Sequence, residues 1–438
     1  MYYLQRFNYS YFFLFLLLLA SIFNIFANVI SLPYLSILSL LATFFFMKKE
    51  DRGFILVMYS TVFGGYFAQL GVRGIGWLLL FIGIIALLPD LTKEKRKFQR
   101  PVILGLITIL FLSFSVLFTV GGDFAVPKLV DTIITTVCCL VAFGHLIAFP
   151  QKHDGTSLSL MLLVYAAFML SYISELIGGL TLLDVISFGS FRSELSMAKE
   201  VDEQLFTYNY QTIGLYACVA LCLFFVGKKR KLNMMAWLII VASGLLVLCC
   251  QSRQGLLSFV ILLLFLLTDF GNIKLGKIIS ICLVLFVLYY WLNTLDDTVV
   301  DFVTGQEEFG SYSKRSSIRQ TAYKTFLSHP IFGVGYGRFI FDFEYGENIH
   351  NLFYEILAET GLVGAVFFSF VTYVSFKGIR LKKLIREYYW LIAIIIAFFL
   401  RLMISSDLRE GIGLFVLFFL LIVSNNKENV RKINTITR

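Results

Sequence analysis

Between residues 348 and 361 the chain reads NIHNLFYEILAETG, with a histidine, two asparagines and two glutamates at the edge of an otherwise apolar run. An imidazole titrates near pH 6.5 when unperturbed, so His350 can accept or orient a proton close to neutrality. Asn348 or Asn351 can cap a helix whose turns bring His350 near Tyr354 and Asn351 near Glu355. Upstream, SYSKRSSIRQTAYKTFLSHP sets Arg315, Ile318, Arg319, Ala322 and Phe326 at helical spacing, so two guanidinium groups share a stripe with apolar side chains. Such a stripe describes either a surface helix whose arginines snorkel to lipid phosphates or a pair of forks gripping a substrate phosphate. In HPIFGVGYGRF, which follows, Pro330 ends the helix. Gly333, Gly335 and Gly337 then alternate, permitting tight turns and close approach of the backbone to a ligand, and Arg338 adds another cation. Glu347 is a less favoured base.

Further arginines stand at other breaks between apolar runs: Arg73 in GVRGIG, Arg253 in CCQSRQG, and Arg401 and Arg409 in RLMISSDLREG. A charge beside hydrocarbon is costly without a partner. Arg253 therefore either pairs with an acid such as Glu175 or Asp131 or helps to line an anion site. Several arginines around one cavity would suit an anionic ligand.

The elements that must position these residues are membrane spans. With 438 residues, 58% of them hydrophobic, and a mean hydropathy of +0.83, the chain lies outside the range of soluble domains. Apolar runs long enough to cross a bilayer as helices recur with short polar breaks. Candidate spans fall near 10–30, 33–47, 53–70, 74–88, 101–120, 129–149, 158–180, 210–227, 235–250, 255–269, 277–293, 360–376, 388–404 and 411–424. The expected fold is an all-α polytopic bundle of about 14 transmembrane helices, with 12 as the lower bound because Pro33 and GVRGIG allow re-entrant hairpins. It divides into a membrane bundle over 1–293, an extracytoplasmic loop with short amphipathic helices over 294–359, and membrane helices with a cytoplasmic tail over 360–438. The first run is too long for a signal-peptide core and reads as a retained helix. All seven cysteines lie inside apolar runs as packing residues, with no metal-type spacing.

Short cytoplasmic loops collect Lys and Arg. With both termini inside, the inner segments carry 25 of the 37 basic residues, notably in KEKRKFQR, KKRK and KGIRLKKLIR. These segments account for most of the net charge of +9 by contact with anionic lipid, and no nucleic-acid partner is needed. The two longest outer loops, about 181–209 and Asn293 to Thr360, are where function is expected.

Three stretches in order, SRQGLLSFVILLLF, KRSSIRQTAYKTFLSHPIFGVGYGRF and NIHNLFYEILAETGLVGAVFF, resemble the O-antigen ligase and polymerase superfamily of polytopic glycosyltransferases. Arg253 matches that family's first arginine and Arg315 its second. His350 with Asn351 matches its His-Asn pair, and Glu359 with Gly361 its closing element. The position four after Arg315, commonly tryptophan in the family, is Arg319, which leaves the second arginine open between the two. The resemblance covers residues 250–370 and implies metal-independent transfer of a sugar chain from an undecaprenyl pyrophosphate carrier at the outer face of the bacterial cytoplasmic membrane, without a cofactor. It implies catalytic roles for His350, Arg253 and Arg315. Arg319, Arg338, Asn351, Tyr354, Arg401 and Arg409 are the further candidates for binding substrate. Arginines can meet the leaving pyrophosphate, and the outer segments show no Asp-x-Asp pair to hold magnesium. Polymerase is favoured over ligase on span number, for building O-antigen or capsular polysaccharide. Expected partners are the lipid-linked oligosaccharide and membrane lipids, with a chain-length regulator and a flippase beside them. A transporter is the competing class, but its halves should resemble each other and its charges should lie at the midplane.

Overall fold

The structure, a computed structural model, describes residues 9–69, 74–117, 125–176, 179–181, 210–228, 233–250, 252–267, 309–339, 349, 351–379, 381–404 and 408–424. All regular structure among them is helical. The fifteen α-helices are α1 Tyr9–Ala27, α2 Leu32–Phe46, α3 Lys49–Gln69, α4 Ile75–Lys93, α5 Lys95–Leu117, α6 Ala125–Ala148, α7 Gly155–Leu176 and α8 Tyr210–Leu223. They continue with α9 Met234–Cys249, α10 Arg253–Leu267, α11 Phe309–Ser328, α12 Leu352–Phe376, α13 Leu381–Glu387, α14 Tyr389–Ile404 and α15 Leu408–Ser424. Helices α1, α4, α5, α6, α7 and α12 are long and apolar enough to cross a membrane. The protein is an all-α polytopic membrane protein. The expected span at 277–293 and nearly all of the outer loop at 181–209 lie outside the described residues.

The chain forms two compact units, each assembled from two separate stretches. In the first, residues 1–83 and 153–309, helix α7 is the core, and almost every side chain from Leu158 to Ile173 is buried. Helices α1, α2, α3, α8 and α9 surround it. Small hydroxyl residues let α1 and α7 approach closely: Ser174 Oγ donates to the Ile25 carbonyl (2.6 Å) and Ser171 Oγ to that of Ser21 (3.3 Å). The Tyr59 ring stacks on Tyr165 at 4.4 Å, and the Tyr165 hydroxyl shares a hydrogen bond with Thr43 Oγ1 at 2.7 Å.

The entry to α7 is built from acids. Asp154 caps the helix, accepting from the Thr156 N–H (3.1 Å) and the Ser157 hydroxyl (2.7 Å), while its own N–H donates to both oxygens of Asp51 (3.2 Å each). Asp51, in the first turn of α3, also meets His153 Nδ1 at 2.8 Å. Gly155 is required here because a Cβ would lie 2.5 Å from the Leu223 carbonyl oxygen.

In the second unit, residues 84–152 and 310–438, helix α15 packs against α5, α6, α12 and α14. Helix α6 carries titratable side chains near both ends. Near its C-terminus His145 meets Asp90 Oδ2 at 3.4 Å, and the same carboxylate oxygen takes Lys152 at 2.6 Å. Near its N-terminus is Lys128. At 1.5 Å per residue the two ends are separated by about 26 Å, close to the roughly 30 Å of bilayer hydrocarbon. The helix is thus long enough for its two polar ends to reach opposite membrane faces.

Burial pushes the Asp51 carboxyl from 3.8 up to about 8, against the lowering effect of the Asp154 N–H. The folded state therefore keeps a proton that the unfolded chain releases near pH 4. The stability this group contributes is full below that pH and is lost as pH rises through about 8. The thermal midpoint of the detergent-solubilised protein should fall between pH 5 and 8 more steeply than that of Asp51→Asn. Equal slopes would show that Asp51 is ionised throughout.

Candidate functional site

Helix α12 is broken at Gly361, which adopts φ 63° and ψ −160° within an otherwise helical run. Such a break frees carbonyls before it and N–H groups after it, and these need partners away from water. The loop after α11 supplies them. Val334 and Gly335 N–H groups donate to the Ala358 and Glu359 carbonyls (3.0 and 2.9 Å), and the Pro330 and Ile331 carbonyls accept from Leu362 and Val363 N–H (2.9 and 3.1 Å). The loop thus splints the two halves of the helix.

This explains one of the alternating glycines. Gly333, at φ 66°, lies so close to α12 that a Cβ would come 2.4 Å from the Glu359 carbonyl carbon, and a Cβ on Gly361 would meet the Ile331 oxygen at the same distance. The close approach expected of a glycine-rich turn is, at Gly333, to the protein's own helix.

Past the splint the loop dives inward. Tyr336 is fully buried; its N–H donates to Ser115 Oγ on α5 (3.1 Å), and its hydroxyl pairs with Thr132 Oγ1 on α6 (2.6 Å). The Lys128 ammonium lies 4.6 Å above the Tyr336 ring. The same ammonium donates to Glu355 Oε1 at 2.7 Å and to both oxygens of Glu359 at 3.0 Å. All three ionic side chains are buried, with exposures of 0%, 3% and 1%. Glu355 and Glu359 are four apart, so one helix face presents both carboxylates to one cation.

The residues expected at the site fall as follows; of those described, Arg253 is in the first unit and the others are in the second. Ile318 and Ala322 of α11 pack with Phe339, Ile349 and Ala358, so α11, the loop and the half of α12 before Gly361 meet in one apolar cluster. Arg319 follows Ile318 and is half-buried. Its Nε is buried with no hydrogen-bond partner among the described residues, leaving a donor open. Arg338 is half-buried and precedes Phe339 of the same cluster. Asn351 caps α12, its Oδ1 accepting from Phe353 and Tyr354 N–H (3.1 and 3.3 Å). Tyr354 is exposed on the first turn. Arg401 is enclosed within α14 at 2% exposure. Arg253 is the first residue of α10, behind Ser252, whose Oγ accepts from the Gly255 N–H at 3.1 Å. Arg315 and Arg409 lie on α11 and α15. The side chains of Arg253, Arg315 and Arg409 lie outside what is described, as do Arg73, Glu347, Asn348 and His350 altogether.

Lys128, Tyr336 and Thr132 are the residues that the sequence reading passed over. The signal for Lys128 was present: AVPKLVDTII puts a lysine at the mouth of an apolar run, where an ionisable group is a functional marker. Drawing the span from residue 129 assigned it to a turn.

A long apolar helix, broken and splinted by a glycine-bearing loop, fits a multi-pass helical membrane protein. Residues 238–369 match the family model described as O-antigen ligase, a stretch that contains Arg253, α11, the splint and the half of α12 before Gly361. This part of the chain is thus similar to the O-antigen ligase family. No curated protein and no solved structure matches the chain.

Gly361→Ala should separate the two halves of α12. A backbone at φ 63° and ψ −160° is open almost only to glycine and costs an L-residue about 1–3 kcal/mol, and the methyl group would also collide with the Ile331 carbonyl. Limited proteolysis should then cut near residues 329–339 faster than in the parent, while cleavage in the first unit stays unchanged. Equal cleavage would mean that the splint does not depend on this glycine.

Proposed function

We propose that this protein polymerises undecaprenyl-pyrophosphate-linked oligosaccharide repeat units into O-antigen or capsular polysaccharide at the outer face of the bacterial cytoplasmic membrane. Both termini are then cytoplasmic. The family match carries this reading, because it covers the stretch that holds Arg253, Arg315, Arg319, Arg338, the loop and His350. The transfer forms a bond between a sugar hydroxyl of the acceptor and the anomeric carbon of the donor, and it breaks the bond from that carbon to the pyrophosphate oxygen. The hydroxyl proton passes to His350, and the pyrophosphate lipid leaves with its electron pair.

The leaving group gains negative charge as its bond breaks, and guanidinium forks favour that state over the substrate. Arg253 and Arg315 are the proposed pyrophosphate ligands. The open Nε of Arg319 supports a share for that residue, with Arg338, Asn351, Tyr354, Arg401 and Arg409 in secondary contact. A chain-length regulator and a flippase are the proposed partners. The ligase reading, in which the acceptor is lipid A core, rests on the same match, and the family's description names that activity.

Purified protein in liposomes with lipid-linked repeat units should give a ladder of longer chains. His350→Ala should lower its rate by about 10²- to 10⁴-fold, the range for a lost general base, and Arg253→Lys by about 100-fold. A product formed only when lipid A core is added would favour the ligase. Movement of substrate across the bilayer without any bond formed would replace both with a transporter.

A further inference from the structure

We infer that Lys128 is a positioning residue for the transfer reaction, holding the outer half of α12, and with it the Asn351-capped turn that directly follows His350 in sequence, in its working register. The inference rests on the proposed glycosyl transfer for its meaning, but its geometry is independent of it. The outer half of α12 is a separate piece of helix, because Gly361 ends its continuity with the membrane half. It is held in two ways. The splint fixes its C-terminal end through the Ala358 and Glu359 carbonyls. Lys128 fixes its side through Glu355, one turn past the Asn351 cap, and Glu359, one turn further.

The ammonium also ties this half-helix to the rest of the site. It sits on Tyr336, whose backbone and hydroxyl are anchored to α5 and α6. One cation therefore joins α6, the glycine loop and α12. Replacing a buried ion cluster by apolar groups is often neutral for stability, whereas removing one member of it is not. A cluster kept only for stability has cheaper alternatives. Its placement on a broken helix beside the candidate site gives it a use as a positioner, since a shift of about 1 Å in a catalytic group can cost about 100-fold in rate.

The test compares Lys128→Met, Lys128→Arg and the fully neutral Lys128→Met/Glu355→Gln/Glu359→Gln protein in liposomes, by product formation and by hydrogen exchange. Lys128→Met should lower kcat about 100-fold with the KM for the lipid-linked donor within about threefold. Exchange should accelerate at Val334, Gly335, Leu362 and Val363, and Lys128→Arg should recover part of both. The neutral protein should regain the parent's thermal midpoint but not its kcat, which separates positioning from stability. Parent-like turnover in the neutral protein, or lost turnover with unchanged exchange, would overturn the inference. So would failure of both Lys128→Met and the neutral protein to fold, since the cluster would then be a folding element. If the parent forms no glycosidic product with any acceptor, the proposed function fails, while the exchange comparison still decides whether Lys128 holds the half-helix.

Discussion

A helix inside a bilayer cannot simply stop and restart, because the backbone groups freed at the break find no water there. That constraint organises the candidate site. At Gly361 the chain needs acceptors for two N–H groups and donors for two carbonyls, and it obtains all four from one segment, residues 330–335. The segment can serve only if it lies against α12 without side chains in the way, so a glycine stands at the closest point on each partner, Gly333 and Gly361. Each of the four bonds contributes only about 0.5–1.5 kcal/mol, but leaving any group unpaired costs about 1–3 kcal/mol. Loop and break therefore form as a unit.

Much of the fold was legible in the sequence because hydropathy registers the bilayer directly. Every expected span that falls on described residues is matched by a helix, from Tyr9–Ala27 to Leu408–Ser424. The helical stripe around Ile318 and Ala322, the stop at Pro330 and the cap at Asn351 were legible too, since each follows from local chemistry within a turn or two. The expected start of a span at residue 360 is informative. Hydropathy changes there because the apolar run LVGAVFF begins just past Gly361, but composition cannot tell a helix that begins from one that kinks and continues.

The remainder depended on distance in sequence. Glu355 and Glu359 read as an acidic pair on one face, but nothing local names their counter-ion, which lies 227 and 231 residues away. The loop glycines read as permissive of a ligand, and only the three-dimensional contact assigns Gly333 to the protein's own backbone. The division into two units has the same origin. Each unit joins stretches separated by more than sixty residues, residues 1–83 with 153–309 and residues 84–152 with 310–438, and no compositional boundary marks that exchange.

The buried cluster also bears on the electrostatics of the proposed reaction. A site meant for a diphosphate is poorly served by two carboxylates on the same half-helix: left free, they would repel the substrate and compete for the guanidinium groups meant to hold it. Lys128 answers both objections by occupying Glu355 and both oxygens of Glu359 from within the bundle, away from the exposed face that Tyr354 shares with solvent or lipid. Among the described residues Arg319 Nε has no partner, while the acids four and eight residues past Asn351 are already engaged. On this view the acids stay because they anchor the half-helix, and the lysine stays because the acids do.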